Sequence, residues 1–73
     1  MDHNKRTSDL VEFFKVLGEP NRLCIVGLLA QRAYTVEQLA AALGVGASTV
    51  SHHLARLARA GLVAARSESY YNH

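Results

Sequence analysis

The residues best suited to chemistry lie close together in the second half of the chain. Ser48, Thr49, Ser51 and His52 fall within five positions, and Arg56 and Arg59 follow one to two helical turns later. Hydroxyls and an imidazole donate and accept hydrogen bonds at short reach, and guanidinium groups match phosphate oxygens. A third arginine, Arg66, stands beyond Gly61. Metal chemistry has poorer material. The soft or borderline ligands are Cys24, His3, His52, His53 and His73. There is no paired-cysteine motif, and adjacent side chains on a helix diverge by about 100°, so His52 and His53 do not readily chelate one ion. No metal or other cofactor is expected. Catalysis has even less support, because no glycine-rich phosphate loop occurs and Asp9, Glu12, Glu19 and Glu37 read as caps and solvated faces. Cys24, inside an apolar run, reads as a small buried hydrophobe.

Four helices must position these groups. The first spans about residues 8–17, with Leu10, Phe13, Phe14 and Leu17 as its inward stripe, and Gly18 ends it. Pro20 suits the first turn of the second, which is apolar nearly all round apart from Arg22, Gln31 and Arg32. Such a helix is central, or it also meets a partner. Thr35 and Gln38 have capping-box spacing and open a short third helix that turns Val36, Leu39, Ala40 and Leu43 inward and stops at Gly44. After Gly44-Val45-Gly46, the fourth helix covers about residues 47–60.

On that fourth helix Val50, Leu54 and Leu57 share one face, with His53 at its edge. Ser48, Ser51, His52, Ala55 and Arg59 occupy the opposite face, with Thr49 and Arg56 at its margin. Two helices joined by a glycine-containing turn fit a helix-turn-helix. In such a unit the second helix enters the major groove of DNA, reads bases near its start and meets phosphates further on. Past Gly61, Leu62–Arg66 and Tyr70–His73 flank a polar turn and suggest a β-hairpin. The expected fold is mostly α, four helices plus two short strands.

Charge agrees in its distribution rather than its sum. The net value is only +2, and residues 1–44 balance five basic against five acidic groups. The surplus lies in residues 45–73, where Arg56, Arg59 and Arg66 face Glu68 alone. At 73 residues the chain is one domain. Its longest apolar run, Leu23–Ala30, is far short of the roughly 20 residues a membrane span needs, and the start leads into no secretory signal. A cytoplasmic location is expected.

Two stretches carry a family resemblance. Ser48-Thr49-Val50-Ser51-His52-His53-Leu54-Ala55-Arg56-Leu57 with Ala60-Gly61-Leu62-Val63, and Leu17-Gly18-Glu19-Pro20-Asn21-Arg22-Leu23 upstream, resemble the ArsR/SmtB family of winged-helix repressors. The resemblance implies a winged helix-turn-helix whose fourth helix enters the major groove of a double-stranded operator, whose hairpin is a wing, and which acts as a homodimer in the full-length chain. Carried over, Ser48, Thr49, Ser51, His52 and Arg56 would face DNA, Arg59 would lie nearer the backbone, Arg66 would sit on the wing, and His53 would pack inward. Ala47 replaces a commonly polar residue, and the usual wing glycine has no counterpart in Arg66–Tyr71. The cysteines of arsenic-sensing members would fall on Thr35, Glu37 and Ala40. No counterpart of the family's last, dimer-building helix follows His73, so the resemblance implies a DNA-binding part of a longer regulator. The alternative function is a winged module that docks another protein.

Overall fold

Local capping chemistry sets the start of the second helix, both ends of the third and the end of the fourth. The computed structural model describes residues 5–73. Helix α1 spans Lys5–Leu17 and α2 spans Pro20–Leu29. Pro20 opens α2, and the Glu19 carboxylate caps it by accepting the backbone N–H groups of Asn21 (2.7 Å) and Arg22 (3.2 Å). Helix α3, Val36–Leu43, carries the expected capping box, with Thr35 Oγ1 accepting from the Gln38 amide and Gln38 Oε1 from the Thr35 amide. Gly44 stops it in the left-handed region at φ 70°. Helix α4 spans Ala47–Arg59. The Gly61 amide bonds the Ala58 carbonyl and the Leu62 amide that of Leu57, with Gly61 at φ 80°. That bond pair is a Schellman closure, which a side chain at Gly61 would strain.

The chain then forms the hairpin of β2, Val63–Arg66, and β3, Ser69–Asn72, in the register Arg66 opposite Ser69 and Val63 opposite Asn72. The two-residue turn is Ser67-Glu68, and Ser67 adopts φ 56°. A third strand, β1 (Tyr34–Thr35), pairs antiparallel with β3, so the sheet order is β1-β3-β2. Sequence periodicity had no purchase on β1. It is two residues long, and Thr35 also caps α3.

The core consists of Val16, Ile25, Leu29, Tyr34, Leu39, Val50, Leu54, Leu57 and Val63, one or more from every element except β3, which adds the half-buried Tyr70. Three expectations are corrected here. The stripe proposed for α1 does not turn inward as a whole. Val16 is the buried residue, Phe13 and Leu17 are half-buried, and Leu10 and Phe14 stay 54% and 63% exposed. The helix meets the core through Val16 near its C-terminal end, so Leu10 lies beyond that contact and Phe14 falls on the side of the helix turned away from Val16. Cys24 is exposed rather than buried, and Leu23 beside it is 55% exposed, because α2 turns Arg22, Ile25 and Leu29 inward instead. Arg22, read as a polar gap, is buried.

Candidate nucleic-acid interface

The inner face of α4 explains why its outer face is held still. Val50 and Leu57 are fully buried and Leu54 almost so, a row that fastens the helix against α2, α3 and the sheet. His53 joins this row through a polar cluster. The Arg22 guanidinium donates from Nε to the Val16 carbonyl at 2.6 Å and from its terminal nitrogen to His53 Nδ1 at 3.4 Å. Arginine only donates, so in this contact Nδ1 is the accepting atom. Nε2 faces Glu19 Oε1 at 3.8 Å. One arginine thus ties the end of α1, the start of α2 and the middle of α4 together.

With that face fastened, Ser48, Thr49, Ser51, His52 and Arg59 are exposed, and Arg56 is half-buried at the margin. Gly46 caps α4 without a side-chain bond, so the amides of its first turn keep no side-chain acceptor. Short side chains at the start of the exposed face leave the backbone within reach of a large ligand, and His52 extends furthest there. His52 is exposed and His53 buried, their side chains about 100° apart around the helix and their ring centroids 6.0 Å apart. Among the described residues no three His, Cys, Asp or Glu side chains converge on a point; His3 lies outside them.

Arg66 stands apart, exposed at the tip of β2, with its guanidinium 5.6 Å from the Tyr71 ring centroid. It lines one hollow with Ala33, Ser67, Ser69 and Tyr71, on the sheet face away from the core. The structure therefore gathers six of the seven sequence-predicted residues on α4 and sets the seventh on the hairpin.

Sequence reasoning missed the Arg22–His53–Glu19 cluster and the Arg32 guanidinium, which stacks 3.8 Å from the Tyr34 ring centroid. A signal for the first was present. Arg22 is a lone charge on a helix apolar all round, and such a residue must find partners wherever that helix is enclosed.

A tri-helical unit with a three-residue turn between α3 and α4, followed by a β-hairpin, is the winged helix-turn-helix domain of a DNA-binding transcriptional regulator. The chain belongs to the family described as bacterial regulatory protein, arsR family, whose model matches residues 19–65. It is 42% identical over 62 residues to an HTH-type transcriptional regulator of Methanocaldococcus jannaschii, a match covering 84% of this chain and 70% of that one. Matching regulators of Mycobacterium tuberculosis are longer, and the chain spans about half their length (51%). Among solved structures, the transcriptional repressor BigR from Xylella fastidiosa superposes with a TM-score of 0.84 at 29% identity, covering 94% of this chain and 72% of that one. A homodimeric winged helix-turn-helix DNA-binding domain from Mycobacterium bovis gives 0.82 at 36% identity, covering 89% and 64%. Among the described residues no helix is long and apolar enough to cross a membrane.

Proposed function

We propose that this chain binds double-stranded operator DNA in the cytoplasm as a homodimeric repressor, with no catalytic role. One observation carries the reading. The buried row of Val50, His53, Leu54 and Leu57 presents Ser48, Thr49, Ser51 and His52 together on one exposed face at the start of α4. In this arrangement Ser51 and His52 meet base edges, Ser48 and Thr49 approach the backbone at the helix start, and Arg56 and Arg59 meet phosphates further along. Arg66 meets the backbone from the wing. Dimerisation uses the uncovered apolar surface of Leu10, Val11 and Phe14 on α1 with Leu23 on α2, as a self-complementary face between two copies. The similar repressor BigR supports repression, and the similar homodimeric M. bovis domain supports pairing.

The test is a comparison of variants on operator and random duplexes at two salt concentrations. His52→Ala should reduce discrimination between the two DNAs, whereas Arg59→Ala should weaken both alike and lower the salt slope by about one. Unchanged binding by both variants, with the fold intact, would shift the reading to a protein-docking module.

A further inference from the structure

The arginines assigned to phosphate face acidic neighbours. Glu12 of α1 lines a hollow with Val16, Arg56, Arg59 and Ala60, and the adjoining hollow is formed by Asp9, Glu12, Phe13, Arg59 and Ala60. The end of α4 thus lies along the acidic side of α1. Among the described residues neither arginine is held in an ion pair or a side-chain hydrogen bond. Both carboxylates are exposed, so they offer no buried structural bond to the fold. They do place negative charge beside the groups that would meet a polyanion.

From this juxtaposition we propose that Glu12, supported by Asp9, lowers the affinity of the chain for duplex DNA of any sequence by opposing the phosphate contacts of Arg56 and Arg59. The inference rests on the DNA-binding reading above. Phosphates approaching these arginines also approach Glu12, and like charges within a Debye length of roughly 10 Å repel. Each arginine is partly neutralised before DNA arrives, so it releases less counterion charge on binding. Ser51 and His52 line neither hollow. The carboxylates therefore weaken the sequence-independent part of the affinity and leave base contacts alone.

Anisotropy titrations of the full chain against a random duplex at two salt concentrations test this. Four proteins are needed: the parent, Glu12→Gln, the Arg56→Ala/Arg59→Ala double variant, and the triple variant. Removing one unit charge beside a phosphate contact should tighten binding about two- to fivefold at low salt, with a smaller gain at high salt. The gain should vanish when both arginines are absent. No tightening in the parent background, or an equal gain in both backgrounds, overturns the proposal while DNA binding stands, since an equal gain would be a general charge effect. If the double variant binds as tightly as the parent, the phosphate assignment itself falls and the proposal falls with it.

Discussion

At the scale of single residues, the two sides of α4 should answer mutation differently. Val50 is fully buried, and shortening it to alanine removes two methyl groups from a nine-member core. Val50→Ala should cost roughly 1–3 kcal/mol by chemical denaturation. Ser51→Ala, exposed one residue later, should leave that midpoint nearly unchanged. Arg22 is the other sensitive position. Arg22→Ala would leave the Val16 carbonyl and His53 Nδ1 without their donor, at a cost of about 2–4 kcal/mol, and Arg22→Lys should recover only part of it because one ammonium cannot serve both acceptors in the same fork. Full recovery by lysine would show that the guanidinium geometry is unimportant. Spacing set His53 at the edge of the Val50, Leu54 and Leu57 row, and only the family resemblance implied that it packs inward. The burial of Arg22 was signalled only by its being a lone charge on an apolar helix, and its partners were not legible, because a helix wheel records which residues are polar and not which helix lies opposite.

At the scale of elements, short-range signals were the legible ones. Pro20, the Thr35–Gln38 box, Gly44 and Gly61 each act within a turn of their own position, and all four sit at helix boundaries in the structure. What depends on distant chain was hidden. Strand β1 exists because Tyr34 lies opposite Tyr70, 36 positions away, and the exposure of Phe14 and Cys24 depends on which side of α1 and α2 the core covers. The hairpin lay between these cases. Its two runs were visible, but its turn lacks the glycine that usually marks one, and Ser67 takes a left-handed φ of 56° instead. That conformation costs an ordinary residue about 1–2 kcal/mol. Ser67→Gly should therefore raise the unfolding free energy by up to about 1 kcal/mol, with part of the relief offset by the greater freedom of glycine in the unfolded chain. A lower midpoint after this change would mean that the serine side chain stabilises the turn more than its backbone strains it.

At the scale of the whole molecule, the same chain presents two surfaces of opposite character. One is the polar and basic face of α4 with the wing arginine. The other is apolar, with Leu10, Val11, Phe14 and Leu23 each about half or more exposed. If two copies meet through the second surface, Phe14→Glu should shift the sedimenting species toward monomer without changing the denaturation midpoint of the monomer, since Phe14 gives little to its own core. It should also weaken operator binding more than random-duplex binding, because only a dimer engages both half-sites. A parent that sediments as a dimer together with a variant that sediments identically would exclude this face as the dimer contact.

The central claim is that the exposed face of α4 and the wing meet the phosphates of duplex DNA, and salt reports this most directly. Affinity for a random duplex, measured across a fourfold range of salt, should fall steeply on a log–log plot, with a slope near −0.9 for each phosphate neutralised. With Arg56, Arg59 and Arg66 engaged, the slope should be about −2 to −3 per protomer, and Arg66→Ala should bring it closer to zero by about one. A flat salt response, or no measurable affinity at low salt from a folded chain, would contradict the account.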